Sequence, residues 1–138
     1  MCGTNPQSSG PKDNVPMNKL IVLAEDDTDL AAVNAIRLEI SGYEVMEVSN
    51  GQDAITAVKE KRPDLLITDL MMPKITGYEV CRMLRFDDSF KNMPIIVLTS
   101  LSNQDEREMA VRSGADAVFV KPFELNLLLC KIRELLGE

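Results

Sequence analysis

The sequence predicts an α/β fold, a five-stranded parallel sheet covered on both faces by five helices. Three observations point there. Five short apolar runs alternate strictly with five stretches of helical character along the chain. Runs such as Leu65 to Thr68 and Ile95 to Leu98 are continuously apolar, as in strands buried on both faces, and lack the in-and-out alternation of a half-wet sheet. Turn formers such as Ser41-Gly42, Asn50-Gly51, Arg62-Pro63 and Ser113-Gly114 divide one piece from the next, so each strand is followed by a helical crossover and not by a hairpin.

At 138 residues the chain has the length of one domain. Residues 1–18 include Gly3, Pro6, Ser8, Ser9, Gly10, Pro11 and Pro16 without any periodicity, and are expected to form a disordered N-terminal extension. Residues 19–138 are expected to be the folded domain.

Leu20 to Ala24 is the first strand, and it runs out into Glu25-Asp26-Asp27-Thr28-Asp29. Asp27 or Thr28 is placed to cap the first helix, in which Val33, Ile36 and Ile40 recur at helical spacing as an apolar face. Tyr43 to Val48 is the second strand; Glu44 and Glu47 mark it as an edge. The second helix turns Ala54, Ile55 and Val58 inward and ends at Arg62-Pro63. Leu65 to Thr68 is the third strand. Asp69 follows where that strand leaves the core, and Pro73 blocks a smooth continuation into helix or ladder. The third helix, after Thr76-Gly77, carries Val80, Cys81 and Leu84 on one face. Ile95 to Leu98 is the fourth strand and ends in Thr99-Ser100. The fourth helix is expected from near Ser102 and is polar from Gln104 to Glu108. Ala117 to Val120 is the fifth strand and ends in Lys121-Pro122. The last helix has an apolar stripe of Leu125, Leu128, Leu129, Ile132 and Leu136.

Composition removes several functions. The net charge of −7, with no stripe of Lys or Arg, would repel a nucleic-acid duplex. The chain has no histidine, which excludes histidine acid/base catalysis, histidine metal ligation and a phosphohistidine on this chain. No apolar run approaches the roughly 20 residues of a membrane span, and the N-terminus lacks the apolar stretch of a secretory signal. Cys2, Cys81 and Cys130 form no close pair. They fit a reducing cytoplasm, with neither a disulfide frame nor a zinc site.

In a parallel sheet the residues that follow each strand share one edge, where ligands collect. Here those residues are Glu25 and Asp26 after the first strand, Asp69 after the third, Thr99 after the fourth and Lys121 after the fifth. Each has an ordinary reading alone, as a helix cap, a turn acid, a strand-end hydroxyl or a surface lysine. Together they place three carboxylates, a hydroxyl and an ammonium on one edge. Clustered carboxylates repel unless a cation joins them, and hard oxygen donors without Cys or His favour Mg²⁺. Such a cation and Lys121 can hold phosphoryl oxygens, Thr99 can donate to one, and a carboxylate can accept the phosphoryl group covalently.

From Lys19 to Gly137 the chain resembles the response-regulator receiver domains of two-component signalling. The resemblance is carried by Val22-Leu23-Ala24-Glu25-Asp26, Asp69-Leu70-Met71-Met72-Pro73 with Gly77, Leu98-Thr99-Ser100 and Lys121-Pro122-Phe123. It implies a flavodoxin-like doubly wound fold with strand order 2-1-3-4-5 and a cis Lys121-Pro122 bond. It implies Asp69 as phosphoacceptor, with Asp26 as a direct Mg²⁺ ligand, Glu25 as an outer one, and the backbone carbonyl of Met71 completing the protein's ligands. Thr99 would follow the phosphoryl group inward, and Lys121 would pair with Asp69 and then with the phosphoryl oxygens. The implied donor is a sensor histidine kinase or a histidine phosphotransfer protein. The implied output is a switch of the face built from the fourth helix, fifth strand and fifth helix, which would bind a downstream protein or a second copy. No direct nucleic-acid or membrane contact is expected.

Two positions depart from the family pattern. Many receivers carry an aromatic three residues before the lysine as a rotamer switch. Val118 stands there, with Phe119 beside it on the opposite pleat face. Met71 and Leu101, each two residues beyond a site residue, are apolar and cannot orient or deprotonate water. Slow self-dephosphorylation is therefore expected, without turnover of a substrate. A Mg²⁺-dependent aspartyl-phosphate phosphatase is the competing enzyme reading, but it wants a second acid where Met71 lies. A nucleotide-binding module is opposed by the acids of Glu25 to Asp29. A silent interaction module is opposed by the complete set of acids, hydroxyl and lysine.

Overall fold

The computed structural model describes residues 18–100 and 103–138. The expected extension, apart from Asn18, and the positions Leu101 and Ser102 lie outside the described residues. The elements are β1 (Leu20–Ala24), α1 (Thr28–Ile40), β2 (Glu44–Val48), α2 (Gly51–Lys61), β3 (Leu65–Asp69), α3 (Gly77–Arg85), β4 (Ile95–Thr99), α4 (Gln104–Arg112), β5 (Ala117–Val120) and α5 (Leu125–Leu136). All strand pairs are parallel, in the order β2-β1-β3-β4-β5. This is the flavodoxin-like order that the resemblance implied. The chain steps one way from β1 to β2 and the other way to β3, so the connections after β1 and β3 diverge and leave a crevice at their carboxyl ends.

Pleating sends alternate residues to opposite faces. Val22, Leu66 and Val97 meet the helices of one face, among them Ile55 of α2 and Leu84 of α3. Ile21, Leu23, Ile67 and Leu98 meet Leu38 of α1 and Leu128 and Ile132 of α5 on the other. β3 and β4 are buried along their whole length, and each buried aliphatic chain contributes roughly 1.5–3 kcal/mol. β2 has no fully buried residue, as suits an edge strand.

The first helix departs from expectation. Val33, Ile36 and Ile40 are 47%, 55% and 80% exposed. The sheet is met instead by Ala31, Asn34, Ala35 and Leu38. Asp27 sets the start of the helix by accepting from the Leu30 N–H at 3.1 Å. The two small alanines then let α1 lie close to the strands, and Leu38 fills the far end. Both faces of α1 carry helical spacing, so periodicity did not distinguish them.

Smaller differences follow from hydrogen bonding. Tyr43 precedes β2 as a buried ring whose hydroxyl donates to Glu138 Oε1 at 3.0 Å. β3 and β4 each run one residue further, to Asp69 and Thr99, because the ladder continues through Asp69↔Leu98 and Thr99↔Val120. Asn103 caps α4 by accepting from the Asp105 and Glu106 N–H groups at 2.7 and 3.3 Å. The Lys121–Pro122 bond is cis. Val118 packs toward α4, while Phe119 packs on the α1/α5 face with Phe123, ring centroids 6.3 Å apart. Cys81 is a buried free thiol, and burial pushes it up to about 12.

Candidate functional site

β1 delivers Glu25 to the crevice. The Glu25 N–H extends the sheet by donating to the Val48 carbonyl at 3.0 Å, and the residue is 3% exposed. Its Oε2 accepts from the Asp27 N–H at 3.1 Å, which orients the carboxylate beside the capping turn. Asp26, between them, is exposed. β3 delivers Asp69, 7% exposed. The Leu70 N–H donates to the Leu98 carbonyl and the Gly77 N–H to the Leu70 carbonyl, both at 2.8 Å, so the loop after Asp69 is held on both sides.

Gly77 is required by contact. A Cβ there would lie 2.6 Å from the Asp69 carbonyl oxygen and 2.9 Å from Leu70 Cα. The α3 N-terminus therefore rests directly on the backbone behind the carboxylate. Thr76 caps that helix with a capping box to Glu79. Lys74, in the same loop, has φ 73°, in the left-handed region.

Lys121 arrives from β5. Its N–H donates to the Thr99 carbonyl at 2.7 Å, which joins the ends of β4 and β5. Its Nζ lies 2.7 Å from Asp69 Oδ1 and 3.1 Å from Glu25 Oε1. The Glu25 contact is a hydrogen bond. At Asp69 the short distance is a charge contact, because Oδ1 has no aligned hydrogen-bond donor. Thr99 is buried at the end of β4. Five of the six residues that the sequence singled out for side-chain or backbone chemistry thus come from neighbouring strand ends. The sixth, Met71, sits in the loop just beyond Asp69 with its side chain 57% exposed.

Electrostatics follow from this packing. Asp69 is raised to about 6, first by burial, then by the nearby Glu25 and Asp26 charges, with Lys121 opposing the rise. Burial works against the charge on Lys121, but its close contacts with the Asp69 and Glu25 carboxylates outweigh it and raise its pKa. The positive charge on Lys121 is thus favoured, while Asp69 gives up its proton less readily than an ordinary carboxyl.

One oxygen each from Glu25, Asp26 and Asp69 can be chosen so that all lie within 4.8 Å of one another. Three hard, acceptor-only oxygens and a buried Asp69 oxygen without an aligned donor fit a small divalent cation better than they fit one another. The donor set contains no sulfur or imidazole, so a Mg²⁺-type ion suits it.

Two features were not found by reading the sequence. Arg85 donates to the Gly114, Phe90 and Met93 carbonyls and to Asp116, staples that lie up to 31 residues away. The Tyr78 hydroxyl donates to Glu106 Oε1 across α3 and α4. Neither has a local signal, since each pairing depends on distant elements meeting.

The fold and the acidic crevice define a class, a phosphoacceptor module on a doubly wound sheet. The family model described as response regulator receiver domain matches residues 21–133. The chain belongs to this family, and it is a phosphoacceptor signalling domain of the two-component type. It is 37% identical over 117 residues to the DNA-binding response regulator MtrA of Mycolicibacterium paratuberculosis, a match covering 85% of this chain and 51% of that protein. The chain thus spans about half the length of the curated relatives it matches. A putative response regulator from Chloroflexus aurantiacus superposes with a TM-score of 0.84 at 28% identity, covering 88% of this chain and 100% of that one. The receiver domain of sensor histidine kinase PA1611 from Pseudomonas aeruginosa, solved with a magnesium ion in its active-site cleft, superposes with a TM-score of 0.82 at 28% identity and the same coverage. Among the described residues no helix is long and apolar enough to cross a membrane.

Proposed function

We propose that Asp69 is the phosphoacceptor, supplied in trans by a phosphohistidine on a sensor kinase or a histidine phosphotransfer protein in the cytoplasm. The observation that carries this reading is the Asp69 carboxylate, buried in the crevice 2.7 Å from Lys121 and clustered with Glu25 and Asp26. An Asp69 carboxylate oxygen forms a bond to phosphorus as the bond from phosphorus to the donor's imidazole nitrogen breaks. The imidazole leaves with the bonding pair and takes a proton, and an acyl phosphate remains. Lys121 keeps its positive charge against the transferred oxygens, and the Thr99 hydroxyl donates to one of them. Glu25, Asp26, Asp69 and the Met71 carbonyl are the residues that would hold Mg²⁺, which supplies further positive charge to the phosphoryl group.

The chain is a switch and not a turnover enzyme in this reading. Met71, and Leu101 outside the described residues, offer no group to activate water, so the acyl phosphate is lost slowly. The surface made by α4, β5 and α5 shifts between two populations and engages a downstream protein or a second copy. In this reading the domain makes no direct contact with nucleic acid or membrane; DNA binding is named for the curated relative, of which this chain spans about half.

Intact mass after incubation with acetyl phosphate tests the central step. One phosphoryl group is expected on the parent only with Mg²⁺, and none on Asp69→Ala. Equal labelling of both would overturn the assignment.

A further inference from the structure

α4 is weakly anchored. Of its nine residues only Ala110 is buried. A groove of about 460 Å³ opens between it and β5, lined by Arg107, Val111 and Val118 among others. Val118 is too small to fill that space. What holds the first turn of α4 is therefore concentrated elsewhere.

The Tyr78 ring packs on the core beneath α2 and α3. Its hydroxyl donates to Glu106 Oε1 and lies 3.3 Å from the Glu106 carbonyl oxygen. One hydroxyl thus meets both the side chain and the backbone of one residue in the first turn of α4. Burial and then the Glu106 contact hold the phenol proton in place, and push Tyr78 up to about 12. On the other side, Tyr78 follows Gly77, whose N–H is bonded to the residue next to Asp69. Glu106 lies seven positions after Thr99, with the Asn103 cap between them. The contact consequently bridges the two connections that leave the acceptor site, one from β3 and one from β4.

We propose that Tyr78 and Glu106 form a latch between α3 and α4 that sets how readily Asp69 is converted to its phosphorylated state. Tyr78 is a positioning residue, since it does not touch the reacting atoms. The proposal rests on the phosphoacceptor reading of Asp69. In that reading the Thr99 hydroxyl closes on the transferred phosphoryl group, which draws on the connection into α4 and works against the latch. Releasing the latch removes that opposition, and the free energy so released appears as tighter binding of a phosphoryl mimic.

The test uses the whole chain with Mg²⁺ and beryllofluoride, with affinity read by fluorine NMR. Tyr78→Phe keeps the ring and removes the hydroxyl; Glu106→Ala removes the acceptor side chain; Glu106→Gln keeps an acceptor oxygen. The two latch-breaking variants are expected to bind about five- to tenfold tighter than the parent, the lower end of ordinary allosteric coupling. Their combination should be no tighter than either alone, and Glu106→Gln should bind like the parent. Melting without ligand separates this from a structural role, which would lower stability and leave affinity unchanged. Unchanged or weaker binding, or additive gains in the double variant, would overturn the latch. Failure of the parent to bind beryllofluoride would overturn the reading of Asp69 as well, and is distinguishable because the parent and the variants then fail alike.

Discussion

Lys121 and Asp69 lie 52 positions apart in the chain, yet the Lys121 ammonium stands 2.7 Å from Asp69 Oδ1. The same ammonium bonds Glu25 at 3.1 Å. One cation thus balances two carboxylates that would otherwise repel each other in a half-closed crevice.

Lys121→Met should slow phosphorylation of Asp69 by roughly 100-fold, the size expected when a preorganised charge facing the developing oxyanions is removed. Single-turnover labelling with acetyl phosphate, read by intact mass, measures this. A rate within twofold of the parent would remove Lys121 from the chemistry.

Asp69→Asn should stabilise the metal-free protein at neutral pH. The folded-state carboxyl titrates at about 6, above its ordinary value of 3.8. The folded chain therefore binds that proton more tightly than the unfolded chain does. The destabilising contribution is complete above pH 6, fades as the pH falls through 6, and is gone near 3.8. Up to about 3 kcal/mol is at stake. Urea melts of parent and variant should diverge at pH 7.5 and converge near pH 4.

Mg²⁺ should protect the parent against melting and leave Asp69→Asn largely unprotected. Metal and proton compete for the same oxygens, so protection should weaken as the pH falls below about 6. Melts at fixed Mg²⁺ across that range provide the check. Equal protection of both chains would move the metal elsewhere.

Gly77→Ala should cost about 1–3 kcal/mol and slow labelling of Asp69. Its Cβ would press 2.6 Å from the Asp69 carbonyl oxygen, which is backbone and cannot swing aside. Arg85→Ala is the contrasting case. It strands the Gly114 and Met93 carbonyls, leaves the Phe90 carbonyl only the Met93 N–H, and leaves the Asp116 carboxylate only the Ile95 N–H. A loss of about 2–4 kcal/mol is expected, with Asp69 labelling rates unchanged under native conditions. Denaturant melts and labelling rates together distinguish the two.

Met71→Asn, with Leu101→Glu, should shorten the lifetime of the phosphorylated chain by supplying groups that can orient water. Decay of the phosphorylated mass after donor removal reads this directly. An unchanged lifetime would separate the apolar side chains from the persistence of the signal.

The sequence alone determined the ten elements, the parallel alternation and the strand ends on which Glu25, Asp26, Asp69, Thr99 and Lys121 sit. These are local quantities. A continuous aliphatic run needs burial on both faces, a Gly or Pro ends an element through its own φ, and a residue placed after a parallel strand must fall on the carboxyl edge. Only the tertiary structure decided which face of α1 is buried, because Val33-Ile36-Ile40 and Ala31-Ala35-Leu38 are both helically spaced, and close approach to the sheet favours the alanines. It also decided that Gly77 must lack a side chain, that Arg85 reaches three carbonyls, and that Tyr78 meets Glu106. Those contacts join elements distant in the chain, and their partners are selected by how helices pack on a twisted sheet, a relationship that no window of local sequence contains.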